Sequence, residues 1–220
     1  MKNTQTLIDQ LSASAVPVKP LASPIKRTFV WCIAAIIIIG LIVTSYGVRP
    51  GFFNDIHEPV KAIGWGASIL TGLLAAFAVF QISVPGRSSA WTWLSAPFAL
   101  LWFSSLCLGC MQDFGTNGMD AFAFEAGSWE CARAITAMSL PLGFIMLMLV
   151  RHAGVIRPAL TAYLAALSTA ALASAGVSLF HNGESAFMVL IWHLGAVVVL
   201  SVACWISGRQ LFGWMGLAKT

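Results

Sequence analysis

The chain has 220 residues, of which 59% are hydrophobic and 9% are charged, and its mean hydropathy is +0.85. Because soluble domains carry about 25% charged residues, this composition excludes an ordinary soluble domain. The formal net charge of +4 does not indicate a nucleic-acid partner, since basic residues also collect at the inner surface of a membrane. The sequence has no phosphate-binding glycine loop or basic repeat that would favour one.

Six long runs without a charged residue follow one another along the chain. About 20 apolar residues carry an α-helix across a bilayer, whereas an open sheet edge would leave backbone groups unpaired in hydrocarbon. The sequence therefore predicts an all-α fold, an integral membrane bundle of six transmembrane helices. The runs cover residues 28–48, 62–86, 88–112, 134–150, 158–183 and 185–208.

Basic residues are unevenly divided between the two sides of this bundle. Only Arg49, Lys61 and Arg133 fall on one side, and the other nine fall on the side of the two termini. Positive charge in short connections marks the cytoplasmic face, so both termini are predicted to be cytoplasmic. The nine residues are Lys2, Lys19, Lys26, Arg27, Arg87, Arg151, Arg157, Arg209 and Lys219.

The predicted organisation is a cytoplasmic N-terminal tail (1–26), a transmembrane domain (27–209) and a cytoplasmic C-terminal tail (210–220). The N-terminal tail contains a short predicted amphipathic helix followed by a proline-rich spacer. Such a short helix is marginal alone in water, so the tail is either a disordered leader or a helix that folds on binding a cytosolic protein. The apolar face of the helix consists of Leu7, Ile8 and Leu11.

Residue composition also distinguishes the spans from one another. The fifth, from Pro158, is rich in alanine, and small side chains allow neighbouring helices to approach its backbone closely. We therefore expect it at the centre of the bundle. Pro97 and Pro141 fall inside the third and fourth runs and are expected to kink them.

The connection around residues 111–130 is predicted to be the largest outer loop, acidic and aromatic, and folded over the outer mouth of the bundle. Cys110 and Cys131 bracket it. Ser128 is a candidate helix cap, which would place Cys131 in a first turn where unpaired N–H groups favour a thiolate. The pair is either a static disulfide contributing roughly 3 kcal/mol or a switchable thiol pair that responds to oxidants or soft metals.

Two histidines complete the candidate site. His181, at the outer end of the fifth span, could form a soft-metal site with Cys110 and Cys131, although their spacing matches no known ligand signature. His193 lies about eight residues into the sixth run, and an ionisable group at that depth indicates function unless it only bonds a neighbouring helix. The sequence has no His-Glu-x-x-His or Gly-x-Ser-x-Gly motif, so neither enzyme activity nor a cofactor is predicted.

Short segments along the whole chain form a set: Leu7-Ile8-Asp9 with a following Ala-Val-Pro-Val-Lys-Pro-Leu, Tyr46-Gly47-Val48-Arg49-Pro50, Leu70-Thr71-Gly72 leading to Pro85-Gly86-Arg87, Ser178-Leu179-Phe180-His181, and Trp192-His193-Leu194-Gly195. Together they resemble the NrsF family of six-span membrane anti-sigma factors. The combination of Pro-Gly-Arg after the second span with Trp-His-Leu-Gly in the sixth is the most specific part of the resemblance.

The resemblance implies a partner and a signal. The cytosolic part would sequester an extracytoplasmic-function sigma factor at the bacterial inner membrane, without direct nucleic-acid binding, and would release it under oxidative or metal stress. Cys131 matches the outer position expected of a sensor cysteine, whereas the position of its partner varies. The lipid bilayer is the other partner. The sigma contact would involve Leu7, Ile8 and Leu11, helped by Arg87.

Two other classes of function stay open from the residues alone. A small-molecule or metal-ion permease would use His193 within the membrane. A membrane thiol oxidoreductase would require Cys110 and Cys131 to exchange with a partner thiol or quinone.

Overall fold

The computed structural model describes residues 3–15, 20–123, 129–181 and 185–214, which are predominantly helical and include no strand within those ranges. Six helices are long and apolar enough to cross a membrane, which confirms the all-α, six-span prediction and makes this a multi-pass membrane protein. Of the residues discussed above, Lys2, Lys19, Ser128 and Lys219 lie outside the described ranges.

The elements are α1 (Thr4–Ala13), α2 (Pro24–Tyr46), α3 (Phe52–Asp55), α4 (Pro59–Ile82), a 3-10 turn (Ser89–Trp93), α5 (Ala96–Asn117), a second 3-10 turn (Gly118–Phe122), α6 (Glu130–Val150), α7 (Pro158–Phe180), α8 (Ala186–Val189), a π-helical turn (Leu190–Leu194) and α9 (Gly195–Trp214).

Four of the spans begin with a proline in the first turn, a position where the missing N–H would have no helical partner in any case. The prediction of a kink at Pro97 is wrong for this reason. A 3-10 turn occupies Ser89–Trp93, so α5 starts only at Ala96 and Pro97 lies in its first turn. Pro141 does lie inside α6, as predicted.

Helix α7 lies at the centre of the bundle, in agreement with its small side chains. It packs against α4, α6 and α9 and is the most buried of the six spans. A Cβ added at Gly72 of α4 would come within 3.0 Å of the Ser168 carbonyl oxygen, and one at Gly208 of α9 within 2.7 Å of Ala159 Cα. Close backbone contact at these two glycines therefore fixes how α4 and α9 sit on α7.

The outside of the bundle is strongly apolar. Large side chains such as Ile36, Leu100, Leu140 and Val199 are 66–72% exposed. A water-soluble protein rarely exposes a continuous apolar surface of this extent, whereas hydrocarbon contact requires one. The exposed faces are therefore consistent with a lipid-facing surface.

The two ends of the bundle differ. The outer end is defined here as the one carrying the connections α2 to α4, α5 to α6 and α7 to α8, and the inner end as the opposite one; the names follow the predicted orientation. Part of the expected outer loop at 111–130, residues 124–128, lies outside the described ranges, and residues 111–122 are helical, because α5 continues to Asn117 and a 3-10 turn follows to Phe122. The Phe122 ring lies 5.0 Å from that of Phe187, so this segment does fold onto the start of the last span.

Gly208→Ala should separate α7 from α9, because the new methyl group would meet backbone rather than a flexible side chain. We expect a loss of roughly 1–3 kcal/mol of stability, measured as a lower midpoint of thermal unfolding in detergent. Gly213→Ala in the same helix is the matched control, since a Cβ there meets nothing within 4 Å. Equal midpoints for the two variants would contradict the close contact.

Candidate functional site

The connection between α2 and α4 is fastened to the end of α7. After α2, Gly47 has a positive φ of 79°, which glycine adopts without strain. The Arg49 N–H then donates to the Leu179 carbonyl oxygen at 2.9 Å, and Arg49 Nε donates to the Ser178 carbonyl oxygen at 3.0 Å. These bonds hold the segment against α7 independently of side-chain packing.

The same arginine belongs to an ionic cluster with Asp55 and Lys61. Arg49 forms an ion pair with Asp55, and Lys61 Nζ lies 2.8 Å from Asp55 Oδ1 and 3.1 Å from Glu58 Oε2. Burial would raise the pKa of Asp55, but the hydrogen bonds and charges of Lys61 and Arg49 outweigh it and hold the pKa below its ordinary value. The carboxylate therefore favours its charged form strongly at neutral pH.

A cavity of about 750 Å³ opens next to this cluster, at the outer end of the bundle. Its wall comes from the α2 to α4 connection, α4, α5, the first turn of α6, α7 and the start of the last span. Exposed polar residues of the wall include Lys61, Gln112 and Thr116, whereas Trp102 and Ser105 are buried. The cavity thus passes from a charged rim to a buried, mixed polar and aromatic interior.

His193 lies in the buried part of this wall. It is 3% exposed and shares a hydrogen bond of 2.8 Å between Nδ1 and Ser174 Oγ of α7. It belongs to the π-helical turn Leu190–Leu194, and π-helical turns occur frequently at functional sites. His193 therefore has both features: the interhelical hydrogen bond that would explain it without a function, and a place in the wall of the cavity at the outer end.

The structure brings together some of the predicted sensor residues but not all of them. Cys131, His181 and His193 line the cavity, and Cys110 does not. Cys131 lies in the first turn of α6 as expected, with Trp129 rather than Ser128 preceding the helix, and it is only 1% exposed. The cysteines are thiols, without a disulfide between Cys110 and Cys131. Within the described ranges, no three His, Cys, Asp or Glu side chains are placed to hold a metal ion.

Cys110 also forms a Cys-x-x-Cys spacing with Cys107. Thiol pairs with this spacing are activated at helix N-termini, but both residues lie more than ten positions into α5. Their location in the helix interior gives no such activation. The pair consequently adds no support to a thiol oxidoreductase.

At the inner end, the start of α2 is locked to α4 and α6. Arg27 is buried, and its guanidinium donates to the Phe80 carbonyl oxygen at 3.0 Å and to Ser83 Oγ at 3.2 Å. Trp31 Nε1 donates to the Leu142 carbonyl oxygen of α6 at 3.1 Å. The tail is thus attached to a helix end that is fixed in place.

Around this fixed point the candidate partner-binding residues are exposed. Leu7, Ile8 and Leu11 are 48%, 50% and 62% exposed, and α1 has no buried residue. Arg87 is exposed in the turn after α4, and Arg151 is exposed at the end of α6. The tail thus contains the predicted helix, and the apolar face of that helix is exposed in the described chain.

Sequence reasoning did not identify Asp113, Trp65, Trp102 or Ser174 as site residues. Asp113 was assigned to a loop, yet it lies in α5, faces the cavity, and accepts a hydrogen bond from the Ala186 N–H at 2.7 Å. Nothing in the spacing of these residues marks them, because they come from helices that meet only in the folded bundle.

Comparison with known families matches residues 11–214 to the sequence model of NrsF, described as "Negative regulator of sigma F". The match covers all six spans and the five cysteines. It begins at Leu11, so Leu7 and Ile8 precede it. No curated protein and no solved structure matches the chain significantly.

Asp55→Asn should destabilise the outer end, because Arg49 and Lys61 would lose their shared carboxylate. A lost hydrogen bond to a charged group costs about 1.5–3 kcal/mol, to be read here from thermal unfolding at pH 7. Since the folded-state pKa of Asp55 is lowered, its contribution is complete above the ordinary value of 3.8 and is lost as the pH falls below that. The difference from wild type should therefore shrink at pH 3, while Asp9→Asn in the exposed α1 should have no effect at either pH.

Proposed function

The chain belongs to the NrsF family of negative regulators of sigma F, and from this premise we propose that it is an anti-sigma factor of the bacterial inner membrane that sequesters an extracytoplasmic-function sigma factor. A negative regulator of a sigma factor has that factor as its partner. A regulator family also indicates a non-enzymatic role. Beyond the family, we propose the type of sigma factor that is held, the face of the membrane at which it is held and the signal that releases it.

The observation that carries the proposal is the uncovered apolar face of α1. Leu7, Ile8 and Leu11 occupy one side of a ten-residue helix that buries nothing. A helix of this length has little stability alone, so a partner that covers the face would both order the helix and gain apolar burial. The family implies a sigma factor as the partner, and a hydrophobic groove on that protein would cover the face.

Basic residues at the inner end would support the same contact. Arg87, Arg151 and Arg157 are exposed around the point where the tail joins α2. Charges at the edge of an interface accelerate association and favour a complementary partner more than they add affinity. An acidic surface on the sigma factor, next to its apolar groove, would pair with these arginines.

Stress sensing is proposed at the opposite face, through Cys131. Cys131 lies in the first turn of α6, and α6 accepts the Trp31 hydrogen bond through the Leu142 carbonyl oxygen. Trp31 lies two turns into α2, which follows the tail directly. A change in α6 packing after modification of Cys131 therefore has a contiguous route to the tail. Tenfold release of the sigma factor requires a coupling of only about 1.4 kcal/mol.

The first test places charge on the apolar face of α1. Leu7→Glu combined with Leu11→Glu should weaken sigma retention by well over tenfold, because each buried leucine contributes about 1.5–3 kcal/mol. Thr6→Glu with Ala13→Glu adds the same charge on the other side of the helix and should retain the sigma factor. Retention is measured by co-sedimentation with membrane vesicles containing the full chain. Normal retention by the leucine double variant would exclude the tail as the main contact.

The second test concerns the sensor. Cys131→Ser should still hold the sigma factor but should not release it after exposure of cells to diamide or Cd²⁺. Cys204→Ser, which alters a half-buried thiol in α9 away from the cavity, is the control and should respond as wild type. Sigma-dependent reporter expression gives the readout. An unchanged response in Cys131→Ser would reject the sensor role of this thiol.

A further inference from the structure

We propose that the cavity at the outer end of the bundle is a binding site for a small organic cation with a protonated amine. Its volume of about 750 Å³ lies within the roughly 300–1,000 Å³ typical of small-molecule sites. The ligand class follows from which hydrogen-bonding groups of the wall are already engaged and which are not. The site does not depend on how the tail retains its partner.

The hydrogen-bond donors of the wall are largely engaged by the protein itself. Ser68 Oγ donates to the Trp65 carbonyl oxygen at 2.7 Å, Ser105 Oγ to that of Trp102 at 2.7 Å, and Ser178 Oγ to that of Ser174 at 3.0 Å. A hydroxyl group has one proton and two lone pairs. These three oxygens therefore remain available to a ligand only as acceptors.

The cationic groups of the wall are engaged in the same way. Arg49 is paired with Asp55 and also donates to the Ser178 carbonyl oxygen. Lys61 is paired with Asp55 and Glu58. An anionic ligand would have to break this cluster before it could pair with either cation. The wall accordingly disfavours an anion.

One carboxylate of the wall has no cationic partner among the ion pairs of the described residues. Asp113 accepts a hydrogen bond from the Ala186 N–H at 2.7 Å, which uses one of several acceptor positions on its two oxygens. It is half-buried, so its charge is only partly solvated. A protonated amine in the cavity would supply both the missing positive charge and additional donors.

Aromatic side chains complete the recognition of a cation. Trp65 and Trp102 lie in the wall, together with Phe52, whose ring forms a T-shaped pair with that of Trp65 at a centroid distance of 5.4 Å. Trp rings attract ammonium groups more strongly than Tyr or Phe rings do, and the attraction rises when water is excluded. A bare metal ion is not favoured, because no described group of three His, Cys, Asp or Glu side chains is arranged to ligate one.

An occupant of this cavity would also contact the groups proposed to sense stress. Cys131 and His193 share its wall, and His193 is hydrogen-bonded to α7 within a π-helical turn. A bound amine would therefore shield Cys131 from reagents in solution. The rate at which Cys131 is modified is therefore a second measurement of binding, and it reports where the ligand lies.

The first experiment measures binding to the full-length protein in phosphatidylcholine nanodiscs by calorimetry, with empty nanodiscs as the blank. Three probes of similar size are compared: 2-phenylethylamine, the neutral 2-phenylethanol and the anionic 3-phenylpropionate. The amine should bind at least about tenfold more tightly than the alcohol, and the carboxylate should bind least. Equal affinities, or no binding of the amine, would overturn the proposal.

The decisive variant is Asp113→Asn. The amide oxygen can still accept from the Ala186 N–H, so the fold is retained while the negative charge is lost. The preference for the amine over the alcohol should disappear. Asp9→Asn, on the distant α1, should keep the preference of wild type. A preference that survives Asp113→Asn would show that this carboxylate does not hold the cation.

Location is tested with single-cysteine variants that keep either Cys131 or Cys110. Only Cys131 lines the cavity, although both thiols lie towards the outer end. 2-Phenylethylamine should slow modification of Cys131 by N-ethylmaleimide several-fold and leave Cys110 unaffected. No protection of Cys131, or equal protection of both thiols, would place the amine elsewhere. Sigma retention is not part of either assay, so failure of the binding site and failure of the proposed function are distinguishable.

Discussion

The close packing of α7 with its neighbours is the constraint on which the rest of the structure depends. Its alanine-rich surface lets α4, α6 and α9 approach its backbone, and Ser168 Oγ donates across the contact with α4 to the Gly72 carbonyl oxygen at 2.6 Å. Within hydrocarbon there is little hydrophobic drive for helices to associate, so tight packing and interhelical hydrogen bonds take its place. A larger side chain at Gly72 or Gly208 would act directly on this arrangement.

The outer end of the bundle contains polar attachments between helices and a cavity. There the α2 to α4 connection is pinned to α7 by Arg49, and α5 is joined to the last span by Asp113. Between these attachments lies a cavity that holds His193 and Cys131. Because the wall of the cavity is built from several helices, a ligand or a modified side chain there would act on the packing of several spans together.

The inner end is arranged differently. The start of α2 is held by Arg27 and Trp31, while the tail that precedes it leaves an apolar helix face exposed. A short helix with an exposed apolar face has little stability alone in water, so under the proposed function the sigma factor would stabilise it by covering that face.

The sequence by itself determined the number of spans, the all-α class, the short N-terminal helix and the central place of the fifth span. Each of these follows from local composition: run length, apolar periodicity or side-chain size. The family resemblance, confirmed by the match over residues 11–214, could also be read from short segments. The positions of Cys131 in the first turn of a helix and of His193 deep in a span likewise follow from the local sequence.

Only the tertiary structure decided which of these residues meet. It separated Cys110 from the cavity and buried Cys131, and it brought Asp113 into the wall, because the rotation of α5 about its axis depends on how it packs on α4. It also replaced the expected loop at 111–117 with helix. A membrane sequence records which residues are apolar, but the direction in which each helix presents its few polar side chains is set by contacts between helices, and those contacts exist only in the folded bundle.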